Sequence, residues 1–129
     1  GYWAEPAPYE PGLYLKEAGV LAGLGVVGKN NLLVTEEYGP RVRLRAVNTG
    51  APLEPDPIIV GRDYCRECNI CVDSCLVNAF DTGKYDREAC LSYCQANLKE
   101  MSQHSVLWCM ECSNVCPIGK DKSAQPMRQ

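Results

Sequence analysis

The chain has 129 residues, enough for one domain or two small ones, and carries a net charge of -3 with a pI of about 5.1. That balance argues against a stand-alone nucleic-acid binder, which usually shows a basic one. No stretch approaches the ~18 consecutive apolar residues of a membrane-spanning helix, so no membrane span is expected.

The opening residues, GYWAEPAPYEPG, lack the basic stretch and apolar core of a secretion signal. They carry Pro6, Pro8 and Pro11 and read as an extended lead-in. There is no initiator Met, which leaves Gly1 as a candidate tag remnant and the chain as a candidate piece of something longer. Residues 13–22, LYLKEAGVLA, place Leu13, Ala18, Leu21 and Ala22 at roughly helical spacing. Gly19 weakens that helix by ~1 kcal/mol relative to Ala, and Gly23 and Gly25 supply residues that end it.

Residues 23–30, GLGVVGKN, nearly fit two nucleotide-binding motifs. The first, G-x-G-x-x-G, should follow a strand, open a helix and have an acidic partner about 20 residues on. Here a helix is predicted before it and a strand after it, and Ala46-Val47-Asn48-Thr49 contains no acid. The second, G-x-x-x-x-G-K, needs a hydroxyl for magnesium at its last position, where Asn30 stands. The residues themselves support a helix end and tight turn that need small side chains.

A hairpin is expected next. NLLV (31–34) reads as a strand, EYGP (37–40) as a turn, and RVRLRAV (41–47) as a strictly alternating strand. Its arginines, Arg41, Arg43 and Arg45, share one face, and the acidic pI favours a solvated face over a polyanion site. The Pro-rich residues 49–57 bound this first half. A division near residue 60 follows, giving segments 1–60 and 61–129, because all nine cysteines lie beyond it. Further on, Asp86 is the expected N-cap of a helix running to about Met101. Cys90 and Cys94 would lie one turn apart on one face of it.

Nine cysteines against one Phe and two Trp mean that something besides a large apolar core holds the chain together. With no secretion signal, a cytoplasmic setting with reduced thiols is expected, and an odd number cannot pair fully. Metal ligation is the better reading. CRECNICVDSC presents Cys65, Cys68, Cys71 and Cys75 with gaps of two, two and three residues. CMECSNVCP presents Cys109, Cys112 and Cys116, followed by Pro117. The first spacing is that of bacterial ferredoxins, in which three closely spaced cysteines wrap one four-iron cluster and the fourth reaches a second. One cluster would take Cys65, Cys68, Cys71 and Cys116. The other would take Cys75, Cys109, Cys112 and either Cys90 or Cys94. Leu76 stands where ferredoxins usually have Pro after the fourth cysteine, a loss of local stiffness but not of a ligand. Structural zinc is the alternative use of C-x2-C pairs. Four evenly stepped cysteines in so short a run suit a cuboidal cluster better.

AGLGVVGKNNLLVTEEYGPRVRL (22–44) resembles the AGLGxxGKNxLLxxxxYG segment of epoxyqueuosine reductases. DREACLSYC (86–94) resembles that family's cysteine followed by Ile/Leu-Ser-Tyr, and CMECSNVCP (109–117) resembles its closing cysteine motif. Corrinoid-dependent reductive dehalogenases share the arrangement. The resemblance implies an enzyme in which a cobalamin lies between a nitroreductase-like α/β domain and a ferredoxin domain with two [4Fe-4S] clusters. It implies Cys90 as the eighth ligand and Cys94 as the spare thiol. It also implies that Gly25, Gly28, Lys29 and Asn30 face the corrinoid. The acidic catalytic residue of epoxyqueuosine reductases would fall near Tyr9; dehalogenases use a tyrosine as proton donor, and a place in the lead-in is the plainer role for Tyr9. The large N-terminal portion that builds most of the family's corrinoid pocket has no counterpart in these residues, so the chain is not expected to be the whole catalyst.

The expected fold is α+β: a partial nitroreductase-like helix–hairpin segment (1–60) followed by a ferredoxin-like two-cluster domain (61–129). The expected function is electron transfer within a corrinoid-dependent reductase, with a redox protein as partner and tRNA as a partner only if the queuosine analogy holds. A stand-alone electron carrier or docking module is the alternative. Trp108, just before Cys109, is expected to shield a cluster from water, and His104, the only histidine, to sit at a helix end.

Overall fold

The computed structural model describes residues 1–8, 13–98, 100–102 and 105–123. Tyr9 and His104 lie outside the described residues. The elements in chain order are β1 (Ala4–Pro6), α1 (Leu15–Leu21), β2 (Val26–Val27), β3 (Leu33–Val34), β4 (Val47–Thr49), α2 (Ile70–Asp73), α3 (Arg87–Asn97), β5 (Glu100–Ser102), β6 (Ser105–Val106), α4 (Glu111–Asn114) and α5 (Lys120–Ser123). The strands form three antiparallel pairs: β1 with β4, β2 with β3, and β5 with β6. The chain is thus a small α+β fold of short elements. No helix among the described residues is long and apolar enough to cross a membrane.

Helix α1 lies within the expected 13–22, but it does not bury the expected leucines. Leu13 and Leu21 are exposed, and the buried residue is Gly19. A Cβ at Gly19 would stand 2.8 Å from Leu33 Cδ2. The glycine that weakens the helix is what lets it rest on β3.

The expected hairpin of 31–34 with 41–47 does not form. Strand β3 pairs backward with β2, with Val26 opposite Val34 and Val27 opposite Leu33. The connection between them is closed by Gly28 N–H to the Leu32 carbonyl at 2.9 Å and Asn31 N–H to the Gly28 carbonyl at 3.0 Å. Asn31 takes a φ of +59°, which asparagine tolerates better than most residues. Residues 42–46 keep an alternating sequence but are not assigned to a strand, and the pairing with the lead-in is seen among the described residues from Ala46, whose carbonyl accepts the Ala7 N–H at 2.9 Å, through β4. Alternation declares two faces, but a strand also needs a partner for its backbone groups.

Helix α3 starts as expected. The Asp86 carboxylate accepts the Ala89 N–H at 3.0 Å. It ends at Asn97, earlier than the expected Met101, with Leu98 already extended. Asn97 Nδ2 donates to the Tyr93 carbonyl at 3.0 Å, the competition with the backbone that disfavours asparagine inside helices. Asp86→Ala is expected to cost about 1 kcal/mol, the usual worth of such a cap. Thermal unfolding of wild type and variant checks it, and an unchanged midpoint would mean that the cap is redundant.

The buried side chains among the described residues are few: Leu33, Val34, Pro40, Ala79 and Phe80, with Cys71, Cys94, Cys116, Asn30 and Ser113. Three of these ten are cysteines and two are polar. A core so thin in large apolar groups leaves the cysteine region to supply cohesion.

Candidate metal centres

The nine cysteines are all unpaired thiols. Eight of them line two cavities. The wider, of about 330 Å³, has Cys75, Cys90, Cys109 and Cys112 in its wall. The narrower, of about 80 Å³, has Cys65, Cys68, Cys71 and Cys116. Each cavity thus draws on both cysteine motifs. Short local elements achieve this. Cys71 lies in α2 and Cys75 just beyond its C-cap Ser74, so the turn sends the two thiols to different cavities. Cys112 and Cys116 are divided in the same way around α4. Among the described residues, no group of three or more His, Cys, Asp or Glu is gathered tightly enough to hold a single metal ion. Each set of four cysteines lines one cavity.

Cys90 and Cys94 part company on α3. Cys90 lines the wide cavity, and Cys94 lines neither. Cys94 is 0% exposed, and its Sγ accepts the Cys109 N–H at 3.2 Å. It therefore helps to fix the second motif from behind.

Burial and crowding push several thiols up. Cys112 rises to about 11, first because it is buried and then because Cys71, Cys109, Cys90 and Cys75 add like charge. Cys71 rises through burial and then through Cys65, Cys116 and Cys68. Cys90 rises through burial, against a lowering hydrogen bond from Tyr85. Four thiolates cannot share such a space without a cation to compensate them. This is the donor set and setting that an iron–sulfur cluster requires. The residues fit.

The glycine segment reaches both cavities through its last residue alone. Asn30, 4% exposed, lines both of them. Its Nδ2 donates to the Cys112 carbonyl at 3.4 Å and its Oδ1 accepts the Leu32 N–H at 3.2 Å. Lys29 Nζ donates to the Cys68 carbonyl at 3.0 Å and to Asn69 Oδ1 at 2.9 Å. A Cβ on Gly28 would stand 3.4 Å from Cys65 Sγ and 2.8 Å from Val34 Cγ2. Gly25 is buried, and a Cβ there would collide with the Val34 carbonyl. The close approaches these glycines permit are thus to the chain itself. Of the four residues expected to face a corrinoid, Gly28 and Lys29 keep solvent-facing surface, while Gly25 and Asn30 are buried.

Arg41, expected on a solvated strand face, instead reaches into the second motif. Its Nη1 donates to the Ser113 carbonyl at 2.9 Å and the Cys116 carbonyl at 3.0 Å, and its Nη2 donates to the Ile118 carbonyl. The neighbouring Gly39, at φ +59°, sits against Ile118, while Gly119, at φ +66°, sits against Tyr38 and Gly39. Nothing in the local sequence announces this, since 72–77 residues separate Arg41 from its acceptors. Tyr85 was also not singled out by sequence. It lines the wide cavity and stacks on Phe80 with ring centroids 5.6 Å apart. Trp108 lines the same cavity at 39% exposure, with the Arg87 guanidinium 5.9 Å from its ring centroid.

No family model matches the chain. It is 43% identical over 86 residues to a tetrachloroethene reductive dehalogenase of Dehalobacter restrictus, covering 65% of this chain and 15% of that protein. It is 36% identical over 107 residues to epoxyqueuosine reductase of Listeria monocytogenes, covering 77% of this chain and 28% of that protein. With the epoxyqueuosine reductase of Leadbetterella byssophila the identity is 30% over 123 residues, 89% of this chain and 39% of the relative. Among solved structures, epoxyqueuosine reductase with an epoxyqueuosine-modified tRNA stem loop matches with a TM-score of 0.70 and 27% identity. That match covers 94% of this chain and 34% of the other. The resemblance read from residues 22–44, 86–94 and 109–117 is borne out, and the chain spans well under half the length of each of these relatives.

Proposed function

We propose that this chain, a relative of the epoxyqueuosine reductases and the reductive dehalogenases, is the electron-conducting part of such a reductase and holds two [4Fe-4S] clusters. The observation that carries the reading is the sorting of eight cysteines into two cavities of four, each cavity drawing on both motifs. When bound, the clusters supply one-electron transfer at potentials set by burial and by hydrogen bonds to sulfur. The chain's own residues do the rest. Cys65, Cys68, Cys71 and Cys116 hold one cluster, and Cys75, Cys90, Cys109 and Cys112 the other. Asn30, lining both cavities, keeps the two sites adjacent. Trp108 and Tyr85 limit the access of water to the wide site.

A ring of thiols around a space favours a cuboidal cluster over one zinc ion, whose thiolates at about 2.3 Å would crowd to roughly 3.8 Å from one another. The corrinoid part of the reading rests on kinship. Gly25, Gly28, Lys29 and Asn30 would serve it indirectly, by fastening segment 22–30 to the cysteine loops. A separate redox protein would supply the electrons.

The test is anaerobic reconstitution followed by iron and acid-labile sulfide assays. About eight irons and matching sulfide per chain are expected for two four-iron clusters. Zinc without sulfide would sink the proposal. Titrating cob(II)alamin into the longest natural form of the protein then separates a reductase part from a plain carrier. Failure to bind, with both clusters intact, would favour the carrier.

A further inference from the structure

Ser113 lies in the wall of the wide cavity, between Cys112 and Cys116 in sequence, and is 0% exposed. Its backbone is fully paired. The N–H donates to the Met110 carbonyl at 3.1 Å, and the carbonyl accepts from Arg41 Nη1 at 2.9 Å. Its hydroxyl is buried with no hydrogen-bond partner, which is true of no other buried side-chain oxygen or nitrogen among the described residues. Leaving a buried hydroxyl unpaired costs about 1–3 kcal/mol. Alanine or valine would fill the position without that cost. Orphaned groups of this kind call for an explanation, and an uncharted cofactor is one of the standard ones.

The surroundings say what the partner is. The cavity that Ser113 lines carries four thiols. A hydroxyl is a donor as well as an acceptor, and sulfur bearing negative charge is an acceptor only. We propose that the Ser113 hydroxyl donates a hydrogen bond to a sulfur of the cluster held in the wide cavity, and that this bond favours the cluster's reduced form. The inference rests on the proposed function, since it requires that cluster. Reduction adds negative charge to the sulfurs, so a donor aimed at them stabilises the reduced state more than the oxidised one. Ser113 acts as a positioning and tuning residue for the reduction potential, not as a ligand.

The test is Ser113→Ala in the full reconstituted chain, with Ser113→Thr as the variant that keeps the hydroxyl. Iron and sulfide content are measured first, followed by a dithionite titration monitored by electron paramagnetic resonance. With both clusters retained, Ser113→Ala is expected to make one cluster about tenfold harder to reduce, ~59 mV for a one-electron step. The other cluster and the Thr variant should stay at wild-type potential. If alanine disturbs loading, the iron–sulfur stretching bands of the wild type decide. They should shift in deuterated water, and by more than in any Ser113 variant that still loads. An unchanged potential in Ser113→Ala, or stretching bands insensitive to the substitution, overturns the inference while leaving the two clusters standing. Wild-type protein that takes up no iron and sulfide at all overturns both.

Discussion

Cys90→Ala should cost the reconstituted chain one of its two clusters, while Cys94→Ala should keep both. The two cysteines are one helical turn apart on α3 and are indistinguishable by residue type. Their surroundings separate them. Cys90 lines the cavity that also presents Cys75, Cys109 and Cys112. Cys94 is fully buried behind it, and its sulfur accepts the Cys109 N–H. A cuboidal cluster with three thiolates is one ligand short. Iron should therefore fall from about eight per chain to about four, or to about seven if a three-iron remnant survives. Alanine is preferable to serine here because a serine oxygen can stand in as a ligand. Cys94→Ala removes a small buried side chain and one acceptor, worth roughly 1–2 kcal/mol. It should lower the unfolding midpoint without changing the iron count. Iron and sulfide assays on the two variants decide, and the reverse pattern would make Cys94 the ligand.

The cysteine motifs were legible in the sequence because their geometry is local. Gaps of two and three residues fix where neighbouring thiols can point, and the turns at α2 and α4 divide the cysteines between the two cavities. The start of α3 was legible for the same reason, since Asp86 caps a residue only three positions on. What could not be read were the partners reached across the chain. Lys29 meets Cys68 and Asn69, and Asn30 meets Cys112, across 39 to 82 residues. GLGVVGKN looked like a turn for a bound group because its glycines signal close approach. They do not say to what, and here the neighbours include Pro57, Val34 and Cys65. The alternation of RVRLRAV was real, but among the described residues only its end, at Ala46 and Val47, is paired, and with the lead-in rather than with 31–34. The first half of the chain is therefore better understood as a brace for the cysteine loops than as an independent hairpin.

The strongest single strut in that brace is Arg41, and Arg41→Met should destabilise the loaded protein by about 3 kcal/mol. The guanidinium donates to three carbonyls, those of Ser113, Cys116 and Ile118. These are carbonyls at the end of α4 and just beyond it, where helical pairing runs out; that of Ser113 has only a long backbone partner, the Cys116 N–H at 3.4 Å. Hydrogen bonds to a charged donor are worth roughly 1.5–3 kcal/mol each, and stranded carbonyls add a desolvation cost when water cannot reach them. The sum is discounted because Arg41 is only half-buried and the loop can relax. Methionine keeps much of the side chain's apolar stem, so the loss reports the guanidinium rather than packing. Arg41→Lys should recover little, because an ammonium is a point donor and cannot hold three carbonyls in the geometry of a planar fork. The Ser113 and Cys116 carbonyls belong to the segment that runs from a thiol of the wide cavity, Cys112, to a thiol of the narrow one, Cys116. Both clusters should therefore be released faster to an iron chelator in Arg41→Met, whereas Cys90→Ala touches only one. Chelator-release kinetics and urea unfolding of wild type, Arg41→Met and Arg41→Lys measure this directly. Wild-type stability and release in the methionine variant would show that the loop holds itself, and a full rescue by lysine would show that charge alone suffices.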